Sequence, residues 1–551
     1  MCSKTMGVCN AYRYVSSKQA RRVKKVSERR DKPSKQIQVV EDSKTKCNGL
    51  RQLIHNGVLV PDAYLPQGFT LTFRGTPLKL SPLQEEMAVK FAQKFGTPYA
   101  EDQKFRSNFM EDFAKALGVK GKITVEDFDW TPIVQCIEAE RARKANMSKE
   151  EKKQLAASRK KIREERKEHY GWATVDGARM EIANYSVEPP AIFLGRGKHP
   201  LRGRWKPATP TKEVTLNLSP DAPTPAGEWA GREWRSSELW IARWTDKLVG
   251  KVKYVWFHDA TPMKQGRTQE KFDLARDLES RINEVRAHIA RGLVDKDVKR
   301  RKVATVAYLI DVFKIRVGDE KETESGTVGA TSLQSKHISF HNSPHKVKLH
   351  FLGKDWVLFE RELEVSEDAF RNLKEFTASG GRIFSGVTTD AVREFLSEVM
   401  PHLSPKVFRT FSATDLFEKK LGSAKVSAES LETEKKMALA EANAAVAQLL
   451  NHQKAVPKKW QETYKKRMEM LKSLRGKEGK SIAKRKQGLE LRIQQMRLGK
   501  NWNLGTSLRN YIDPRVSVEF CKKVNYDWKR YYPKALVTKF AWADPEGNQN
   551  N

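Results

Sequence analysis

Near the C-terminus, the stretch Thr506-Ser507-Leu508-Arg509-Asn510-Tyr511-Ile512-Asp513-Pro514-Arg515 sets one tyrosine among polar and basic residues punctuated by proline. A phenol in that setting is a candidate nucleophile toward a phosphodiester. Its oxygen must lose a proton and the charge on its target must be neutralised, so cations from elsewhere in the chain have to gather around it. Cations are abundant: 103 Lys and Arg stand against 68 Asp and Glu, a formal net charge of +35 over 551 residues, with a pI near 9.8. Such a balance points to a polyanionic partner, nucleic acid above all, bound through counterion release.

The elements that must position these groups follow from length and pattern. At about 150 residues per unit the chain predicts roughly three or four units. No apolar run reaches the roughly 18 residues of a membrane span. The N-terminus carries charge where a secretory signal needs an apolar stretch. Cys2, Cys9, Cys47, Cys136 and Cys521 are odd in number and scattered, which fits a reducing compartment and offers neither a disulfide framework nor a zinc quartet. Residues 1–47, with split basic clusters around Arg21-Arg22 and Arg29-Arg30, read as a disordered tail that is either a nuclear import signal or a nonspecific nucleic-acid arm.

From about Leu53 the pattern is globular. Ser81-Pro82-Leu83-Gln84 carries an N-cap, a proline at the first helical position and a capping-box glutamine, and predicts a helix through Met87, Phe91 and Phe95. Met147 to His169 predicts a long charged helix. The following region mixes strands and helices, and its tryptophans 172, 205, 229, 234, 240, 244 and 256 read as mostly core. Phe272 to Asn451 predicts amphipathic helices with one hairpin, Val347 to Phe351 and Trp356 to Phe359, whose Gly353-Lys354-Asp355 turn leaves Lys354 at or near the tip. From Pro457 to Lys500, apolar residues at helical spacing predict two antiparallel helices of about 20 residues, roughly 30 Å each. A solvated flexible linker is the alternative reading. No internal repeat is visible.

Six strings in order give the chain a specific resemblance: Glu188-Pro-Pro before Phe193-Leu-Gly-Arg196-Gly-Lys-His-Pro200; Ile315-Arg316-Val-Gly-Asp-Glu-Lys321; Phe351-Leu-Gly-Lys354-Asp355; Lys406-Val-Phe-Arg409-Thr-Phe; Asn451-His452-Gln-Lys-Ala; and Leu504 to Arg515. From about Gly57 to Trp542 the chain resembles the eukaryotic-type, type IB DNA topoisomerases. The resemblance implies an α+β multidomain clamp around duplex DNA. Its parts would be a mixed α/β cap (48–264), a mainly helical, tyrosine-recombinase-like catalytic core (265–455), a helical linker arm (456–500) and a small helical C-terminal domain carrying the nucleophile (501–551).

The resemblance further implies roles. Tyr511 would attack the scissile phosphorus, leaving a 3′-phosphotyrosyl link and a free 5′-hydroxyl. Arg316 and Arg409 would clamp the nonbridging oxygens with planar paired donors. Lys354 would protonate the leaving 5′ oxygen if neighbouring cations lower its pKa. His452, at the end of an Ala-rich helix where a histidine is ordinarily just a charge partner of the helix terminus, would donate to a nonbridging oxygen. Arg196 would reach DNA near the break, and Asp355, Thr506 and Asn510 would order DNA or neighbouring side chains. Rotation of the free end would relax positive and negative supercoils alike, and the conserved ester energy would remove any need for nucleotide. Gly476-Lys-Glu-Gly479-Lys-Ser481 lacks P-loop spacing and reads as a turn. His337, His341, His345 and His350 have no ligand partners at metal spacing, so no metal or other cofactor is expected and cleavage is expected to persist in chelator. The expected protein is a monomer on double-stranded DNA, with no membrane partner, acting in the nucleus if cellular or otherwise where viral DNA replicates.

The chain departs from the family pattern in a short N-terminal tail, a shorter and glycine-rich arm, Asp319 where the family generally has Asn, and a shortened segment from Glu320 to Thr331. Two rival readings remain: a tyrosine site-specific recombinase, and a noncatalytic chromatin-binding scaffold that kept the fold.

Overall fold

The computed structural model describes residues 49–318, 326–341 and 345–545. The expected basic tail and Asp319 lie outside the described residues. The chain divides into two compact units, Met1–Thr261 and Pro262–Asn551. Among the described residues no helix is long and apolar enough to cross a membrane.

The N-terminal unit is mixed α and β. Its elements run β1 (Leu53–His55), β2 (Thr70–Phe73), β3 (Thr76–Lys79), α1 (Pro82–Ala92), α2 (Pro98–Glu101), α3 (Gln103–Leu117), β4 (Phe128–Asp129), α4 (Thr131–Asn146), α5 (Lys149–Tyr170), β5 (Trp172–Val175), β6 (Ala178–Glu181), β7 (Ala191–Ile192), β8 (Trp205–Lys206), β9 (Thr215–Asn217), β10 (Gly231–Glu233), β11 (Trp240–Thr245) and β12 (Val252–Trp256). The strands form small sheets in the orders β1-β5-β6, β3-β2-β4, β7-β8 and β10-β9-β11-β12. Helix α1 begins at the expected capping box, with Ser81 and Gln84 each bonding the other's backbone N–H, and α5 begins at a second one, Ser148 with Glu151. A stack of aromatic rings, including Phe91, Phe109, Phe113 and Trp130, fills the space between α1, α3 and α4.

The tryptophans correct the expectation. Only Trp240 and Trp244 of the seven are buried; Trp256 is exposed and the others are half-buried. Thin sheets cannot enclose so large a ring on all sides, and the Trp172 ring is covered by cations instead, with Lys167 and Arg179 5.3 and 4.3 Å from its centre. Among the described residues Cys521 is a buried free thiol.

The C-terminal unit is mainly helical. It runs α6 (Pro262–Leu293), α7 (Val298–Phe313), β13 (Ile338–His341), β14 (Lys346–Gly353), β15 (Val357–Glu364), α8 (Glu367–Thr377), α9 (Thr389–Ser397), α10 (Pro405–Gly422), α11 (Glu432–Leu449), α12 (Trp460–Lys472), α13 (Lys480–Leu498), α14 (Leu504–Asn510), α15 (Pro514–Lys523) and α16 (Lys534–Lys539). The expected hairpin is β14–β15, antiparallel with Gly353 opposite Val357. A third strand, β13, pairs with β14 and was not foreseen, because its four residues are too few to show a period. Two apolar clusters build the unit: one joins α6–α9 and the sheet to the start of α10, the other joins the rest of α10 to α11 and α14–α16.

The helices of the expected arm span 13 and 19 residues rather than 20 each. They are antiparallel, with the Trp460 indole donating to the Met496 carbonyl and Arg497 bonding the Tyr464 hydroxyl. Helix α13 packs on α11 and buries Leu489, Leu491 and Ile493. Apolar contact along one side therefore anchors this pair, in place of a free coiled coil.

Candidate active site

Several distant segments of the C-terminal unit deliver their residues to one cleft of about 110 Å³. Its lining includes Arg316, Lys354, Asp355, Arg409, His452 and Thr506. The ends of helices and a hairpin tip do the positioning.

Helix α7 ends in Phe313, Lys314 takes a left-handed conformation, and the chain leaves extended through Ile315 and Arg316. The Arg316 carbonyl accepts from the Ala330 N–H at 2.9 Å. Next to this bond two glycines touch backbone to backbone. Gly318 has φ +90°, and a Cβ there would lie 2.9 Å from the Gly329 Cα, so both positions need glycine. Lys354 sits at the exposed hairpin tip as expected, followed by Asp355 and Trp356 at φ 66° and 62°.

Arg409 lies one turn into α10, whose first turn carries Pro405. Ser404, although placed as the N-cap, makes no side-chain cap bond. The Arg409 guanidinium is 4% exposed. It donates to the carbonyls of Lys314 and of Leu450, the latter at 3.0 Å. It lies 5.3 Å from the Tyr511 ring centre and 3.5 Å, through Nη2, from His452 Nε2. Its Nε is buried without a hydrogen-bond partner among the described residues. Burial, opposed by Tyr511 and reinforced by Arg316, draws its pKa down to about 10; it remains a cation at neutral pH.

Helix α11 ends at Leu449, and Asn451, at φ 54°, turns the chain so that His452 folds back with its N–H on the Ala447 carbonyl. The imidazole is buried. Its Nδ1 is 2.8 Å from the Ser507 hydroxyl, and its ring centre is 5.0 Å from that of Tyr511. Burial first, then the charges of Arg409 and Arg316, push its pKa to about 3. The ring is therefore neutral at physiological pH.

Tyr511 follows α14, a helix capped by the Asn503 side chain. The phenol is 4% exposed. Burial alone would raise its pKa, but Arg409, Arg316 and Lys406 together hold it below the ordinary tyrosine value. The next turn is clamped. Thr414 of α10 donates to the Tyr511 carbonyl and accepts from the Asp513 N–H. Buried Asp513 pairs with Arg276 of α6 at 3.1 Å and with Arg515 at 2.8 Å, and Pro514 opens α15.

Thr506 lines the cleft, whereas Asn510 turns its amide back onto the Thr506 carbonyl. Arg196 belongs to the N-terminal unit, on an exposed turn between Gly195 and Gly197, both at positive φ. The four clustered histidines occupy separate strands and turns. Among the described residues no three His, Cys, Asp or Glu side chains group as metal ligands would.

Three residues escaped the sequence reading. Ser507 and Thr414 were silent because hydroxyls in helices are common; the one available signal was that Ser507 precedes Tyr511 by four residues, a single helical turn. Lys271 of α6 donates to the Asn510 carbonyl at 2.9 Å, and burial, with Lys406 and Lys539 nearby, brings its pKa down to about 7. Nothing distinguishes it in a helix full of charge.

The same segments match known proteins. Residues 50–257 match the family described as eukaryotic DNA topoisomerase I, DNA binding fragment; residues 260–487 match its catalytic core; residues 483–550 match the C-terminal topoisomerase domain. DNA topoisomerase 1 beta of Arabidopsis thaliana is 33% identical over 546 residues, covering 90% of this chain and 59% of the relative. The mitochondrial DNA topoisomerase I of Pan troglodytes is 30% identical over 548 residues, covering 90% of each. DNA topoisomerase 1 of Candidozyma auris is 29% identical, covering 90% of this chain and 82% of the relative. The chain thus spans less than two thirds of the Arabidopsis relative and most of the other two. By these matches, and by the segments they bring to one cleft, the chain belongs to the eukaryotic DNA topoisomerase I family.

Proposed function

We propose that the chain relaxes positively and negatively supercoiled duplex DNA by transient cleavage of one strand, without nucleotide or required metal. Tyr511 attacks the scissile phosphorus: the tyrosyl O–P bond forms, the P–O5′ bond breaks, the phenol proton leaves to water and Lys354 protonates the 5′ oxygen. Reversal by the 5′-hydroxyl reseals the strand, and the ester bond is conserved throughout. Arg316, Arg409 and His452 hold the nonbridging oxygens as charge builds in the transition state. Arg196, Asp355, Thr506 and Asn510 contact DNA or order the side chains that do. Phosphate contacts dominate affinity, so binding is salt-dependent and weakly sequence-selective.

The observation that carries this reading is the setting of Arg409. A buried guanidinium lies against both Tyr511 and His452, and its Nε has no hydrogen-bond partner among the described residues. His452 Nε2 and Arg409 Nη2 stand 3.5 Å apart. Arg409 Nη2 can only donate, so without DNA His452 Nε2 accepts from it and Nδ1–H points to the Ser507 hydroxyl; once a phosphate oxygen takes the Arg409 donor, Ser507 donates to Nδ1, Nε2 carries the proton, and both groups reach that oxygen.

We further propose a monomer that closes a cap, the N-terminal unit, and a tyrosine-recombinase-like core around duplex DNA, with the α12–α13 pair as its arm and 501–551 as the nucleophile's domain. Its place of action is the nucleus if a cell encodes it, or the site of viral DNA replication otherwise. The test is relaxation of plasmids of either supercoil sign, free of recombination sites, in chelator without ATP. The parent chain relaxes both and Tyr511→Phe relaxes neither. A need for a particular DNA site would favour a recombinase, and full activity of Tyr511→Phe would end the proposal.

A further inference from the structure

Two of the segments entering the cleft do so as helix C-termini. Helix α7 leads into Arg316 and α11 leads into His452. A helix C-terminus presents unsatisfied carbonyls and about half a negative charge. Two such ends beside a phosphate would repel it and each other, so cations must cover them.

Arg409 covers the first carbonyl beyond each helix, Lys314 and Leu450. A second guanidinium, Arg361, repeats the arrangement one residue back. From β15 it donates through Nη1 to the Phe313 carbonyl at 2.9 Å, and through Nη2 to the Leu449 carbonyl at 2.8 Å and the Gln448 carbonyl at 3.4 Å. Phe313 and Leu449 are the last residues of α7 and α11. No carboxylate among the described residues lies within ion-pair range of Arg361; the Phe359 ring lies 5.3 Å from its Cζ, and Arg409 is near enough to feel its charge. A desolvated cation without a counter-ion is costly unless the carbonyl dipoles repay it.

The same strand meets the turn that carries His452. The Leu358 carbonyl accepts from Asn451 Nδ2 at 2.9 Å and from Gln453 Nε2 at 3.3 Å. Arg361 thus joins three segments, the end of α7, the end of α11 and the hairpin that ends in Lys354. The planar fork reaches one helix end with Nη1 and the other with Nη2; an ammonium would have to serve both from one nitrogen.

We propose that Arg361 is a positioning residue, whose guanidinium bridges the C-terminal carbonyls of α7 and α11 and so sets the spacing of Arg316 and His452 around the scissile phosphate. This rests on the function proposed above. Arg361 does not reach the cleft, so it acts through the groups it holds.

The test is single-turnover cleavage of an end-labelled duplex at saturating protein, for the parent, Arg361→Met and Arg361→Lys. It uses an ordinary phosphodiester and, separately, a methylphosphonate at the scissile position. Arg361→Met is expected to cleave the phosphodiester about 10- to 100-fold more slowly, with DNA affinity within about threefold of the parent because phosphate contacts elsewhere are untouched. Its deficit should shrink to under about threefold on the methylphosphonate, which lacks one of the anionic oxygens that Arg316 and His452 hold. Arg361→Lys should fall between Met and parent. A merely structural loss would slow both substrates equally, and that result overturns the proposal, as does an Arg361→Met variant at the parent's rate. If Arg361→Met shows no cooperative melting, the Lys variant decides by the same comparison of substrates. A parent that forms no covalent complex would refute the proposed function, and this proposal with it; an active parent beside an equally active Met variant refutes this proposal alone.

Discussion

Removal of the Ser507 hydroxyl is a sharp probe of how His452 works. Ser507 is fully buried and its Oγ is 2.8 Å from His452 Nδ1. The imidazole is neutral, with a pKa near 3, so one nitrogen carries the single proton, and the partner of the other decides which. Without DNA, Arg409 Nη2 donates to Nε2 and Nδ1–H donates to Ser507; with phosphate bound, Ser507 donates to Nδ1 and Nε2–H turns to the phosphate oxygen. Ser507→Ala leaves Nδ1 without that bond. A neutral hydrogen bond contributes about 1 kcal/mol net, and an orphaned buried polar group costs about 1–3 kcal/mol, so stability should drop by about 1–3 kcal/mol in thermal or denaturant unfolding. The tautomer bias is worth a similar amount, and about 1.4 kcal/mol corresponds to a tenfold rate loss. Single-turnover cleavage of an end-labelled duplex should therefore slow about tenfold, with DNA affinity unchanged. A Ser507→Ala variant that cleaves within about twofold of the parent, while His452→Ala is severely slowed, would refute the assignment of the tautomer to Ser507.

Other expectations concern the same unit. Arg409→Lys keeps the charge but loses the two separate nitrogens that reach the Lys314 and Leu450 carbonyls, so cleavage should fall at least about 100-fold; near-parental activity in the covalent-trapping assay would contradict the clamp. The His452 pKa lies near 3 in the fold, against about 6.5 for an ordinary histidine. The unfolded chain therefore binds more protons between those values, and the stability His452 contributes is whole above pH 6.5 and lost as pH falls toward 3. The melting difference between the parent and His452→Gln should track that window, and a flat difference would count against it. Gly318→Ala forces a side chain at φ +90° and 2.9 Å from Gly329 Cα, and should destabilise by about 1–3 kcal/mol. Gly488→Ala, within α13 and with nothing near its would-be Cβ, should instead stabilise by up to about 1 kcal/mol; equal melting shifts for the two would refute the reasoning.

Local features were readable before the fold was seen. The Ser81 capping box, the charged helix after Ser148 and the hairpin with Lys354 at its tip depend on residues within a few positions of one another. The candidate site residues could be named only through ordered strings that resemble a family, since each alone is an ordinary surface Arg, Lys or His. What stayed hidden depends on partners far along the chain. Arg361 bonds carbonyls 48 and 88 residues away, Lys271 bonds one 239 residues away, and backbone acceptors leave no trace in residue type. The half-buried tryptophans and the docking of α13 on α11 have the same origin: burial is decided by what a face meets, and periodicity reports only that the face exists.

The central claim is that the Tyr511 phenol becomes covalently joined to DNA within a cluster of Arg316, Lys354, Arg409 and His452. Denaturant trapping on end-labelled duplex, followed by peptide mapping, tests it most directly. The account predicts protein linked through Tyr511 to the 3′ end of one broken strand, with a free 5′-hydroxyl opposite and no adduct from Tyr511→Phe. Linkage to a 5′ end, or an adduct on any other residue, would contradict it.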